Sequence, residues 1–493
     1  MGRLLSYAFV LFVVVITVIV VFQVRFQKSI NRPLCKNCNV ILISLDTLGS
    51  NHLPCYGYKR DTAPNICKFA KENVFFTNSF SNASWTLPSH FSIFTSLYPK
   101  HHGVVLCDTD ILSKKVTTLT QNFKTDQYDT IYVGPLLDPS MPLDKGLGRG
   151  FNTIKGSRYN NLKTWNFGLT QLLNNAKNGK KTFLFLHTYW VHSPYVVEDL
   201  GRKDNNHAFT NEHISEIPLT MKESQEFTSD FYDYVMNNYG KNLNNTTDND
   251  FTKSIQRLKD TSNYIRAKSL YYSFNDDFKM KLSNRYYLDK ISASKDKILY
   301  ARDLYDESIF YLDQNFKQLF SITSHKELKN NTILIITSDH GEEFAEHGNI
   351  SHPANDLFNT VTATPLIMYI PGIKQRTISN LVQSIDIAPT VLNLVGIKTP
   401  DIFEGIDLTD LILNKKYARS NPYLISNGQG IDSIRNKKWK LYVKYSLPSQ
   451  DKKMKLYDLV NDPLENHNVY SDNIDIAKSL YKRFTEIIYK KKP

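Results

Sequence analysis

Four runs of apolar residues punctuate the chain: Asn39–Leu45 (NVILISL), Thr182–His187 (TFLFLH), Thr332–Thr337 (TILIIT) and Leu366–Ile370, the last closed by Pro371-Gly372. Their apolar character is continuous rather than alternating, which predicts strands buried on both faces. Longer stretches with helical spacing, such as Ala63–Asn73 and Ile298–Phe320, lie between them. Strand and helix in alternation predict an α/β fold, a sheet covered by helices on both sides. Residues 200–295 break the pattern. They are polar, rich in Asn, Asp, Lys and Tyr, and hold no long apolar strand. This predicts a helical or loop-like insertion over the rim of the sheet. After residue 430 come two strand-like segments, Trp439–Tyr445 and Lys453–Leu459, then a helix from Asp475 to Tyr489. They predict a small terminal antiparallel unit.

The amino terminus follows neither pattern. Leu4–Val24 is almost wholly apolar and is bracketed by Arg3 and Arg25. About 20 such residues cross a bilayer as a helix. The run ends in Val20-Val21-Phe22-Gln23 rather than in the small residues of a cleavage site, so an uncleaved anchor over residues 1–25 is expected. Arg25, Lys28, Arg32 and Lys36 follow the span, and by the positive-inside count they favour a cytosolic main domain.

The formal net charge of +12 allows attraction to anionic partners, but no nucleic-acid-binding motif accompanies it. A basic solvated surface accounts for the charge, and nucleic acid is not expected as a partner. Of the five cysteines, Cys35 and Cys38 form a C-x-x-C without a second pair at zinc-finger spacing. That disfavours a structural zinc and allows a short disulfide on an extracytoplasmic face. The odd count leaves at least one thiol unpaired within the chain.

Two of the buried strands run straight into acid. NVILISL ends at Asp46, and TILIIT continues into Ser338-Asp339-His340-Gly341-Glu342. Ligand sites in open α/β sheets gather at the carboxyl ends of strands. If the two strands are neighbours, Asp46, Asp339 and His340 converge on a divalent-cation site. A third element, Ser84-Trp85-Thr86-Leu87-Pro88-Ser89-His90, puts Pro88 where it suits a first helical turn. Thr86 then stands just before a helix N-terminus, whose free N–H groups favour an anion. A hydroxyl held there beside a metal is acidified and becomes a nucleophile.

Taken in order, these segments resemble the sulfatase family of the alkaline-phosphatase superfamily, from about Asn39 to Asn468. NVILISLDT is similar to the opening strand with its metal aspartate, and TLPSHFSIFTSLYPKHHGV to the nucleophile motif and its helix. TYWVHSPY resembles the segment carrying an active-site histidine, here His192. SDHGEEFAEHG is close to the second metal motif, and ISHPANDLFNTVTATPLIMYIPG resembles the following loop, with His352. QSIDIAPTVLNLVGI and the KKWKLYV to DPLENHNV region resemble the later helix and terminal hairpin. The resemblance implies an alkaline-phosphatase-like large mixed sheet flanked by helices, with a small C-terminal antiparallel subdomain. It divides the chain into the anchor at 1–25, an α/β catalytic domain at 33–425 with the variable insertion at 200–295, and a hairpin-plus-helix unit at 430–493. It also implies an extracytoplasmic catalytic domain behind a single-pass anchor, against the charge count, and that is the side expected here.

Departures from the family pattern sharpen the expectation. Formylglycine-forming members carry C-x-P-x-R or S-x-P-x-R, whereas this chain has Thr86-Leu87-Pro88-Ser89-His90. Threonine cannot yield formylglycine, and it resembles the phosphodiesterase and phosphoethanolamine-transferase relatives, in which the hydroxyl itself attacks. The usual paired Asp after the first strand is here Asp46-Thr47, a loss of one carboxylate that favours zinc or manganese over calcium. One metal is expected on Asp46, Thr86, Asp339 and His340, with a second left open. Thr86 is the expected nucleophile, His192 or His352 the proton donor, and His90 and His347 supporting or anion-binding groups at the substrate. His101, His102 and His187 read as structural, as do Asp306 and Asp313. The implied activity is hydrolysis of a sulfate or phosphate ester on an anionic substrate such as a glycan or lipid headgroup. Two alternatives stand beside it: a membrane-tethered phosphoethanolamine or phosphoglycerol transferase acting on surface glycans, and a non-catalytic binding protein on the same fold.

Overall fold

A computed structural model describes residues 33–489 apart from 106–109, 137–140, 142, 157–161, 194, 196–208, 210–227, 239–248, 261–263, 275, 293, 415–421 and 446–451. The expected anchor, Leu4–Val24, lies outside the described residues. Among those described, no helix is long and apolar enough to cross a membrane.

The main sheet has eight strands: β1 (Asn39–Leu45), β2 (Val74–Phe76), β3 (Asp129–Val133), β4 (Thr153–Lys155), β5 (Thr182–Thr188), β6 (Thr332–Thr337), β7 (Leu366–Tyr369) and β8 (Arg376–Ile378). They are ordered β8-β2-β7-β6-β1-β5-β3-β4. β1 pairs in parallel with both β5 and β6, and β7 runs antiparallel to β6 and β2, so the sheet is mixed. The two acid-tipped strands expected to be neighbours are neighbours: Ser44 of β1 sits opposite Thr337 of β6. Asp46 and Asp339 therefore leave the same end of the sheet.

Both faces of β1 are buried, as its unbroken apolar run requires. Val40 and Leu42 point into one core with Phe183 and Phe185 of β5. That core is closed by helix α2 (Thr86–Thr95), all ten of whose residues are buried. Ile41, Ile43 and Leu45 point into the other core with Leu184 and Leu186. Helix α1 (Pro64–Glu72), α3 (Leu162–Lys177) and the long helix Lys295–Phe320 cover that side. The period-two split of one strand between two cores is what fixes its register.

The 200–295 insertion is helical where it is described, with α4 (Ser229–Asn238), α5 (Asn249–Lys259), α6 (Tyr264–Ser273) and α7 (Asp276–Ser292) preceding α8 (Lys295–Phe320). α4 to α7 build a small core of their own around Phe231, Ile255, Tyr271 and Leu282. After α9 (Ile387–Val395), the chain forms a four-stranded antiparallel sheet of β9 (Leu424–Gly428), β10 (Ile431–Arg435), β11 (Trp439–Tyr445) and β12 (Lys452–Asp458). Helix α10 (Ile474–Tyr489) lays Ala477, Leu480, Phe484 and Ile488 on it, one helical stripe against Ile434, Leu441 and Leu456. Disulfides join Cys35 to Cys38 and Cys55 to Cys67, and Cys107 lies outside the described residues.

Candidate active site and metal centre

Asp46, Asp339 and His340 come together at the carboxyl ends of β1 and β6, fully buried, with one donor atom from each within 4.8 Å of the others. Two tight loops bring them there. Thr47 adopts φ 57°, a left-handed conformation unfavourable for a β-branched residue, and is held in it from several sides. Its backbone N–H donates to Asp339 Oδ1 over 3.3 Å, and its hydroxyl donates to Val191 O over 3.0 Å. Tyr305 of α8 donates to Thr47 O over 2.6 Å and accepts from Gly49 N–H over 3.0 Å. On the other side, a Cβ at Gly341 would stand 2.3 Å from Thr360 O and 3.1 Å from Gly49 Cα. Only glycine lets the two loops approach so closely.

Thr86 is the first residue of α2, one step inside the helix rather than before it. Its hydroxyl donates to Asp46 Oδ2 over 3.2 Å and lies 3.3 Å from His340 Nε2. His340 Nδ1 is 2.9 Å from Gly341 O, to which it donates, so Nε2 turns inward. Asp339 Oδ2 lies 3.3 Å from that Nε2 and has no hydrogen-bond partner. Burial favours the neutral form of Asp339, but the His340, His90 and His187 imidazoles outweigh it and hold the carboxyl well below the ordinary range. Burial pushes His340 down to about 4. An ionised carboxylate with an unpartnered buried oxygen, a second carboxylate and an inward-facing imidazole nitrogen make a donor set that fits a divalent cation.

His192 and His352 stand at the outer edge of this cluster. Their ring centroids are 5.0 Å apart, and His352 is 4.4 Å from His340. Both rings are half-buried, whereas Asp46, Asp339 and His340 are fully enclosed. His352 Nδ1 lies 2.9 Å from Glu342 Oε1. Burial alone would depress His352, but the Glu342 carboxylate outweighs it and raises the imidazole above its usual value. His192 lacks such a partner, and burial, with His352 beside it, takes it down to about 4.

His90 and His347 are held by other contacts. His90 is fully buried; its Nδ1 donates to Thr86 O over 2.9 Å, and its Nε2 is 3.0 Å from Ser44 Oγ. With both ring nitrogens engaged, these contacts give it the supporting role, bracing the turn that carries Thr86, and not that of an anion-binding group. His347 is not brought to the cluster. Its Nε2 donates to Leu464 O over 2.8 Å and its ring stacks on Phe358, which ties its loop to the C-terminal region instead of to a substrate. Asp306 pairs with His52 and Arg60, and Asp313 accepts from the backbone N–H groups of Asn65 and Ile66 at the start of α1.

Two residues at the site were not marked by the sequence reading. Glu342 orients His352, and its signal was its place in the dense Asp339-His340-Gly341-Glu342 stretch. His187, read there as structural, closes the apolar strand β5 as Asp46 closes β1, and its Nε2 lies 3.5 Å from Asp46 Oδ2.

The Sulfatase family model matches residues 38–397 of this chain. The chain belongs to the sulfatase family. It is thereby a hydrolase of the sulfuric and phosphoric ester class, on the alkaline-phosphatase-like fold. A second model, the N-sulphoglucosamine sulphohydrolase C-terminal region, matches residues 345–490. An uncharacterized sulfatase of Escherichia coli K12, YidJ, is 24% identical over 466 residues, covering 89% of this chain and 84% of that protein. Human iduronate 2-sulfatase is 26% identical over 359 residues, covering 68% of this chain and 60% of its own length. Among solved structures, BT4656 in complex with D-glucosamine-2-N,6-O-disulfate superposes with a TM-score of 0.63 at 20% identity, over 93% of this chain and 99% of that one. Phosphonate monoester hydrolase of Agrobacterium radiobacter superposes with a TM-score of 0.62 at 16% identity, over 93% and 96%. At such identities the superpositions describe the fold alone.

Proposed function

We propose that this sulfatase-family chain hydrolyses phosphate or sulfate esters by direct attack of the Thr86 hydroxyl, within a cation site formed by Asp46, Asp339 and His340. The observation that carries this reading is the position of Thr86 Oγ, within hydrogen-bonding distance of both Asp46 Oδ2 and His340 Nε2 at the first turn of a buried helix. A divalent cation bound there supplies Lewis-acid activation of the hydroxyl and neutralises charge on the ester oxygens. Two carboxylates and an imidazole favour zinc or manganese over calcium.

The Thr86 proton has an acceptor in Asp46 Oδ2. The Thr86 oxygen attacks phosphorus or sulfur in line, the bond to the leaving oxygen breaks, and a phospho- or sulfo-threonine remains. His352, held by Glu342 and raised in pKa, donates the proton that the leaving oxygen needs. His192 lies across from it and is the second candidate for that step. Water then attacks the phosphorus or sulfur and releases the inorganic anion, restoring the hydroxyl. Threonine has no second hydroxyl with which to expel sulfate by elimination, so release of either anion depends on this second displacement.

An alcohol on a glycan in place of that water would make the same centre a transferase. The apolar Leu4–Val24 run supports a membrane anchor, and the Cys35–Cys38 and Cys55–Cys67 disulfides support an oxidising, extracytoplasmic side. The test is turnover of an aryl phosphodiester, an aryl phosphate monoester and an aryl sulfate with zinc, manganese and calcium, with Thr86→Ala as the control. Full activity in Thr86→Ala on any substrate of the wild type defeats the proposal.

A further inference from the structure

His187 lies at the end of β5 opposite Ser44 of β1, with its ring fully buried. Its Nδ1 is 3.1 Å from Ser44 O. A carbonyl oxygen only accepts, so Nδ1 carries the proton and donates it. In the neutral ring Nε2 is then a bare lone pair, and it faces Asp46 Oδ2 at 3.5 Å without a hydrogen-bond partner. A buried nitrogen left unsatisfied is destabilising, and a lone pair turned towards a carboxylate adds repulsion. A cation between the two atoms turns that conflict into coordination.

Two further observations point the same way. His340, already part of the cluster, has the same arrangement: Nδ1 donates to a backbone carbonyl and Nε2 faces inward. Metal-binding imidazoles characteristically use their second ring N–H in this way, which fixes the tautomer. His187 Nε2 also meets the cluster at a donor already in it: Asp46 Oδ2, 3.5 Å from His187 Nε2, accepts from Thr86 Oγ over 3.2 Å.

We propose that His187 is a ligand of the divalent cation through Nε2, a second imidazole beside His340 at this centre. The inference rests on the reading that Asp46, Asp339 and His340 hold a cation, and it makes the donor set richer in nitrogen. Two imidazoles with two carboxylates select a transition metal such as zinc or manganese over calcium.

Cobalt(II) loaded into the full chain is the probe. Each coordinated imidazole keeps one exchangeable Nδ1–H near the paramagnetic ion, so the proton NMR spectrum of the wild type is expected to show two strongly shifted exchangeable signals. His187→Gln should lose one of them, and its cobalt affinity in a chelator competition should fall about 10–100-fold. A single signal in the wild type overturns the proposal, and so does an unchanged affinity in a folded His187→Gln. Should that variant fail to fold, the wild-type count of two or one decides alone. Asp339→Asn separates the two levels of the argument. Retention of wild-type affinity there, or no cobalt uptake by the wild type, defeats the cation site itself and His187 as its ligand. A loss confined to Asp339→Asn defeats only the role of His187.

Discussion

The hydroxyl of Thr86 donates to Oδ2 of Asp46 across 3.2 Å, joining the start of a helix to the end of the central strand. This contact gives the nucleophile both an orientation and an acceptor for its proton. Thr86→Ala removes the attacking atom and little else from a helix that remains buried. Its kcat/KM is expected to fall by about 10³-fold or more on every substrate the wild type turns over. Thr86→Ser keeps the oxygen and should retain measurable turnover. Trapping of a radiolabelled covalent adduct on the wild type, absent from the alanine variant, checks the same point independently of rate.

Removal of metal should affect stability as well as rate. Without a cation, Asp46 and Asp339 face each other in a closed pocket, with Asp339 Oδ2 unpartnered. Dialysis against a chelator is expected to abolish turnover and lower the melting temperature, with both restored by zinc or manganese. A ligand present at 100 times its Kd stabilises the native state by about 2.7 kcal/mol. Equal melting curves before and after dialysis, on protein whose metal loss is verified by elemental analysis, would count against a cation held by these residues.

Much of this centre was legible because strand ends are. A continuous apolar run that meets an acid marks the carboxyl edge of a buried strand, which located Asp46 and Asp339. Parallel pairing of β1 and β6 then brought them together. His187 obeyed the same rule but escaped, because a histidine closing a strand does not announce which ring nitrogen is free. That depends on a carbonyl of the neighbouring strand, 143 positions away. His347 failed in the opposite sense: it stands in a motif dense with ionisable residues, yet its partners, Leu464 and Phe358, draw it to the C-terminal region. The hairpin of β9 and β10 was not anticipated, since LISNG and IDSIR mix polar and apolar residues without a clean period.

Glu342 and His352 act as a pair. The carboxylate engages Nδ1 and raises the imidazole above its usual value despite burial. Glu342→Gln preserves the shape but removes the charge, so His352 becomes a poorer proton donor. The expected effect is a drop of about 10–100-fold in kcat with KM nearly unchanged. The loss should shrink on esters with activated leaving groups, which need no protonation. A uniform loss across leaving groups would instead mark Glu342 as merely structural.

Lys440 and Glu465 form a buried ion pair at 2.9 Å beneath the loop that follows the site. Glu465 also accepts from the Tyr442 hydroxyl and from Asn359 N–H. Lys440→Met leaves Glu465 buried beside an apolar chain, and breaking such a pair costs about 3–5 kcal/mol. Lys440→Met combined with Glu465→Gln removes both charges and should recover part of that loss. Denaturant midpoints of the two single variants and the double variant measure the coupling, and strictly additive losses would exclude it.

His102 sets an acid limit on stability. Its Nδ1 accepts from Val104 N–H over 3.1 Å, and its Nε2 lies 3.2 Å from Pro88 O and Ser92 Oγ. A proton on Nδ1 would oppose the Val104 N–H, and burial pushes the imidazole down to about 3. The unfolded chain has an ordinary histidine near 6.5. Between those values the unfolded state binds more protons than the folded one, so stability falls as pH falls through that window. The slope from this one group approaches about 1.4 kcal/mol per pH unit. His102→Asn keeps an acceptor for Val104 N–H without titrating. It should be less stable than the wild type at pH 8 but show a flatter decline between pH 6.5 and 4, read from urea midpoints. Parallel declines in the two proteins would mean that other groups carry the acid sensitivity and that His102 does not.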